Sequence, residues 1–196
     1  MKNYIIDEWF PKAIYIKDDF CCDLNVQLKN SILKEYKNKK YIKLQDFYVD
    51  SSHKVNDKLH LNKDFLNFTK LLTLEIKNFL LEYGYNKQSI NKVIITNMWY
   101  NISDKGGFNF PHNHNDSLIS GVYYINCDKR NIITFYENLN QIKPIPDNFT
   151  KYSYSHVDYV CKKNRLMLFS GSLVHANPIQ TFNGKKIIIS FNSKLC

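Results

Sequence analysis

The sequence predicts an α+β domain. Three observations carry this: two stretches of helical period lie in the first half, the hydrophobic period shifts to that of strands near residue 93, and short apolar runs then alternate with turn residues. Helices followed by a run of strands point to helices packed against antiparallel sheets. A chain of 196 residues suffices for one domain with a real core, here a strand and flanking helices over 1–92 and a strand-rich part over 93–196.

The elements follow in order. Residues 9–17, opening with Trp9-Phe10-Pro11, alternate and include Ile14 and Ile16, which suggests a first strand. Leu24 to Tyr36 sets Leu28, Ile32 and Leu33 on one helical stripe, and Lys37 to Lys40 place positive charge at its C-terminal end. Residues 41–62 have no clear period and read as a loop with short extended pieces. The clearest helix starts near Asn62, a capping residue, with Asp64 in its first turn. Its stripe is Phe65, Phe68, Leu72, Ile76, Phe79 and Leu80, and Gly84 marks its end. That stripe is expected to pack on a sheet rather than on a partner.

Val93 to Tyr100 reads as a strand, Ser103 to Gly107 as a turn and Asn109 to Asp116 as a polar loop. Leu118 to Ile125 and Ile132 to Tyr136 form a hairpin-like pair of strands. Residues 137–156 form a long loop with Phe149, Tyr152 and Tyr154, expected to contact substrate. Tyr159 to Cys161, Arg165 to Phe169 and Lys186 to Asn192 complete the strands.

Composition narrows the class. Hydrophobic content of 44% and aromatic content of 15% describe a globular chain rather than a disordered one. No apolar run reaches the length of a membrane span, and MKNYIIDEWF lacks the apolar core of a signal peptide, so a soluble cytoplasmic protein is expected. The net charge of +9 raises nucleic acid as a partner. Against it, Arg130 and Arg165 are the only arginines and the lysines are scattered. The five cysteines are odd in number and include no CxxC pair, which fits free thiols better than a disulfide framework or a zinc site.

The chemistry concentrates in two segments. The first carries His112, His114 and Asp116 just before an apolar run; the second carries His175 after another, with Lys186 beyond it. Two close ligands and a third far along the chain suit a metal with open coordination positions, such as a redox-active iron. His53, His60 and His156 have no such arrangement and read as structural or surface residues. Gly106-Gly107 lacks the ending of a phosphate loop.

These motifs resemble those of the iron(II)- and 2-oxoglutarate-dependent oxygenases, in particular a bacterial and phage branch. The branch has His-x-His followed by Ser-Gly-Val-Tyr-Tyr, here His112-Asn113-His114 and Ser120-Gly121-Val122-Tyr123-Tyr124. Its second motif is an apolar strand, a His, and a basic residue opening the last strand, here Leu166 to Phe169, His175 and Lys186 to Asn192. The resemblance covers the C-terminal half well and the opening strand weakly.

The resemblance implies a double-stranded β-helix, or jelly-roll, with Fe(II) and 2-oxoglutarate as cofactors. It implies a dioxygenase, specifically a hydroxylase, acting with dioxygen on a small molecule or a protein. Two ligand sets stay open: His112, His114 and His175 from the branch, or His114, Asp116 and His175 from the wider superfamily's His-x-Asp. Lys186 stands where the family usually has Arg and would meet the distal carboxylate of 2-oxoglutarate, without the bidentate fork. Lys185 should face the other way. Tyr124 would help bind that carboxylate, although alternation alone does not say which of Tyr123 and Tyr124 faces inward. Asn101 and Asn192 are further polar groups for the cofactor pocket. Two other readings are a jelly-roll binding module without catalysis and a three-histidine cupin-like metalloenzyme that uses no oxo acid.

Overall fold

Helices cover one face of a seven-stranded antiparallel sheet, and a four-stranded sheet lies against the other. The structure, a computed structural model, describes residues 11–38, 41–44, 48–137 and 145–196. The strands are β1 (Ile14–Lys17), β2 (Ile42–Leu44), β3 (Val49–Ser51), β4 (Val93–Ser103), β5 (Asn109–His112), β6 (Ile119–Asn126), β7 (Ile132–Tyr136), β8 (His156–Val160), β9 (Leu166–Ser170), β10 (His175–Asn177) and β11 (Lys186–Leu195). The larger sheet runs β1-β9-β6-β11-β4-β3-β2 and the smaller β5-β10-β7-β8. This is the double-stranded β-helix. Trp9 and Phe10 of the expected opening lie outside the described residues; Ile14 to Lys17 do pair with β9.

The helices are α1 (Asn25–Lys37), α2 (Leu66–Glu82) and the short α3 (Lys87–Ile90). Two 3-10 turns, Leu59–Leu61 and Lys63–Phe65, lead into α2, and the Asn62 side chain accepts from the Asp64 N–H at 3.1 Å. The start read from Asn62 is therefore a capped turn, with the α-helix beginning at Leu66. Phe65, Phe68, Leu72 and Ile76 are fully buried against the larger sheet, each contributing about 1.5–3 kcal/mol. Asn25 ties α1 to β6: its amide donates to the Tyr123 hydroxyl (3.3 Å) and to the Ile125 carbonyl (3.2 Å). Among the described residues no helix is long and apolar enough to cross a membrane.

Alternation sorts the strands into two cores. On β11, Ile187, Ile189 and Phe191 join the helix-side core, whereas Ile188 joins the smaller core between the sheets. On β6, Tyr123 faces the helices and Tyr124 the space between the sheets. The segment read as a polar loop at Asn109–Asp116 begins as strand β5, the expected turn starts one residue after β4 ends at Ser103, and β10 has no counterpart in the sequence reading. β5 and β10 are short and polar, and their pairing with each other makes them strands, not their residue preferences.

Candidate metal centre and cofactor pocket

His112 ends β5 and His175 opens β10. The two residues stand directly opposite in the antiparallel register, so both rings project on one face, with centroids 4.5 Å apart. His114, two residues past the strand, reaches the same point, its ring centroid 5.2 Å from that of His112 and 5.3 Å from that of His175. One ring nitrogen from each lies within 4.8 Å of the others.

The His114 loop is fastened by its backbone. The His114 N–H donates to the Gly171 carbonyl at 2.7 Å, and the Gly171 N–H donates to Leu118 at 3.1 Å. A Cβ on Gly171 would meet the Ser117 carbonyl oxygen at 2.1 Å and that of His114 at 2.6 Å, so the approach requires glycine.

The protonation of the rings follows from their partners. A backbone carbonyl can only accept, so His112 Nδ1, 2.7 Å from the Phe110 carbonyl, and His175 Nδ1, 3.0 Å from the Leu173 carbonyl, carry the protons. Their Nε2 lone pairs are left for a ligand. Burial pushes the His114 imidazole down to about 4 and that of His175 to about 3, with His112 beside them adding to the effect. Both are therefore neutral donors at neutral pH. Three imidazoles are a donor set that fits a divalent first-row metal. Asp116 is exposed and outside this group; it lines a separate polar cleft of about 320 Å³ that His114 also borders.

The histidines line a cavity of about 240 Å³ between the sheets, walled by Val122, Ile133, Phe169 and Ile188. Asn101 lines it and donates to the Ser190 hydroxyl at 3.3 Å. Asn192 lines the cleft instead, its Oδ1 accepting from Ser120 at 2.8 Å.

Lys186 faces the space between the sheets on the same side of β11 as Ile188 and Ser190. It is 6% exposed, and its Nζ donates to Asn177 Oδ1 at 3.0 Å; among the described residues no carboxylate pairs with it. Burial pushes its ammonium below the usual lysine range. The Tyr124 hydroxyl is buried and lacks a hydrogen-bond partner of good geometry among the described residues, with the Cys161 thiol beside it. Burial holds that phenol well above its usual range. A buried cation without a counter-ion and an unsatisfied buried hydroxyl fit an anionic, oxygen-bearing ligand. Lys185 is exposed.

Sequence reasoning missed three neighbours. His53, read as structural or surface, lines the cavity and packs on Trp99 with ring centroids 4.4 Å apart. Trp99 and Asn177 also line the cavity. His53 follows β3, which pairs with β4, in a stretch with no periodic signal. Tyr152 and Tyr154 of the long loop line another hollow, with Phe135 and His156; residues 138–144 lie outside the described residues.

Residues 97–192 match a family model described as putative 2OG-Fe(II) oxygenase. The segment that holds the histidines belongs to the iron(II)- and 2-oxoglutarate-dependent oxygenases. The oxygenase fold is shared with solved structures at low identity. One is the non-heme alpha-ketoglutarate-dependent epimerase SnoN from nogalamycin biosynthesis, with a TM-score of 0.66 at 9% identity, covering 93% of this chain and 78% of that one. Another is HygX from Streptomyces hygroscopicus with nickel and 2-oxoglutarate bound, with a TM-score of 0.62 at 9% identity and coverage of 94% and 83%. A third is a prolyl-4-hydroxylase from Pseudomonas putida, with a TM-score of 0.59 at 13% identity and coverage of 93% and 94%. No curated protein matches the sequence. The family that the segment matches depends on Fe(II) and 2-oxoglutarate.

Proposed function

We propose that the chain is a hydroxylase in which His112, His114 and His175 hold Fe(II) and Lys186 with Tyr124 anchors 2-oxoglutarate. The observation that carries this is one cavity with three convergent imidazoles and, on the same side of β11 as its lining, a buried ammonium lacking a counter-ion among the described residues. When bound, iron and 2-oxoglutarate together supply the oxidising power for inserting an oxygen atom of dioxygen into a C–H bond. The chain's part is placement. Two carbonyl contacts fix the tautomers of His112 and His175, Gly171 holds the His114 loop, and the apolar wall keeps water from the reacting centre.

The ligand set of three histidines is favoured over His114, Asp116 and His175 because Asp116 lies outside the group whose nitrogens converge. Three imidazoles leave the metal's full charge, which an anionic cosubstrate partly offsets. Lys186 favours a dicarboxylate over a cupin-like reaction that needs none. Asn101 is a second polar contact for the cosubstrate, whereas Asn192 serves the neighbouring cleft.

The test is succinate production from 2-oxoglutarate by the iron-loaded protein under air. Slow succinate release without added substrate, absent in His175→Ala, is expected. No succinate from a protein that binds Fe(II) would overturn the reading.

A further inference from the structure

The cleft beside His114 differs in chemistry from the cavity. Its lining includes Asn97, Asn113, Asn115, Asp116, Asn192 and His53, with no aliphatic side chain. His53 and His114 line both spaces, so a molecule in the cleft lies next to the histidine cluster. On a chain of net charge +9, the one carboxylate of the lining is Asp116. Asp116 is exposed, and no hydrogen bond or ion pair engages its carboxylate among the described residues.

The amides are partly committed and partly open. The Asn97 Nδ2 donates to the Asp57 carboxylate, itself paired with Lys58 at 3.8 Å, which leaves Asn97 Oδ1 available. The Asn192 Oδ1 accepts from Ser120, which leaves its N–H donors available. Side-chain amides donate and accept, as hydroxyl groups do, and an apolar ligand would strand them. A carboxylate among them selects a cation.

We propose that this cleft is the primary-substrate site and that its ligand is a small polyhydroxylated amine, the ammonium on Asp116 and the hydroxyls on Asn97, Asn192 and His53. The proposal rests on the histidine cluster being the iron centre, since that is what places the cleft beside the chemistry. It also explains why a carboxylate two residues from a ligand histidine stands apart from the cluster. Asp116 then reads the substrate and not the metal.

Saturation-transfer NMR on the full chain, with glucosamine, glucose and N-acetylglucosamine as probes, tests this without turnover. Glucosamine should bind, and the two uncharged sugars should bind weaker by about fivefold, the range of a partly exposed ion pair. Asp116→Asn should reduce glucosamine to the level of glucose. Asn192→Ala should weaken all three sugars together, and Glu82→Gln, at the exposed end of α2, should change nothing. Absence of glucosamine binding, equal binding of the three sugars, or full glucosamine affinity in Asp116→Asn would overturn the proposal. Ni(II) titration of the same variants separates the two readings. Asp116→Asn with intact Ni(II) affinity and lost amine selectivity supports the cleft, whereas loss of Ni(II) affinity in Asp116→Asn would return Asp116 to the metal and overturn it.

Discussion

The His114 N–H donates to the Gly171 carbonyl at 2.7 Å, which joins the loop carrying one histidine to the turn that leads into the strand carrying another. The two halves of the site are thus held together by backbone at a point where no side chain fits. Gly171→Ala should push the Ser117 and His114 carbonyls away, costing about 1–3 kcal/mol as an overpacked contact. The expected outcome is a folded protein with lowered thermal midpoint and Ni(II) affinity reduced at least tenfold. Unchanged affinity, measured by calorimetric titration, would show that His114 holds its place by other means.

The ligand set can be read from single substitutions. His112→Ala, His114→Ala and His175→Ala should each abolish tight Fe(II) binding under anaerobic conditions, while Asp116→Ala should keep it. His175→Ala separates metal from no metal, because His175 belongs to both sets. The pair His112→Ala and Asp116→Ala separates the sets. Retained binding in the first and loss in the second would assign the carboxylate.

The histidines were legible in the sequence because their spacing and the flanking apolar runs are local features. The His112–His175 pairing was not, since it is made by two short polar strands that only tertiary contact turns into strands. Which of His112 and Asp116 converges with His114 and His175 depends on where β5 ends, the kind of boundary that period alone does not fix. Alternation told that Tyr123 and Tyr124 part company; only the helix-side contacts of Tyr123 with Asn25 and Phe20 set which one faces inward. His53 left no trace, because β3 is three residues long and the chain after it has no period.

Tyr124 gives a test in which ligand and stability effects have opposite signs. Its hydroxyl is buried and poorly satisfied, a state that costs about 1–3 kcal/mol. Tyr124→Phe should therefore raise the thermal midpoint of the protein without cosubstrate, by about 2–4 °C per kcal/mol at this chain length. With 2-oxoglutarate bound, the variant should lose that advantage and bind the cosubstrate about two- to tenfold more weakly. A hydroxyl with no ligand role would give the first effect without the second.

Lys186 ties cosubstrate affinity to pH. A charge-assisted contact to a carboxylate is worth about 1.5–3 kcal/mol, so Lys186→Ala should weaken 2-oxoglutarate binding about ten- to a hundredfold, with Fe(II) affinity spared. Lys185→Ala, exposed, should do little. Burial lowers the Lys186 pKa in the fold below its unfolded value, so the charged form is the disfavoured one. The sign follows: the ammonium's cost to the fold is full below the folded pKa and vanishes above the unfolded one, so this group makes the cosubstrate-free protein more stable as pH rises between them. Binding runs the other way, because the carboxylate needs the ammonium. The dissociation constant of 2-oxoglutarate should therefore rise with pH from the lowered Lys186 pKa upward, earlier than a solvent-exposed lysine would allow. Lys186→Arg keeps its charge over that range and should flatten the alkaline limb. Titration of 2-oxoglutarate into Ni(II)-loaded protein across neutral to alkaline pH measures both, and parallel pH profiles for the lysine and arginine forms would place the anchoring charge elsewhere.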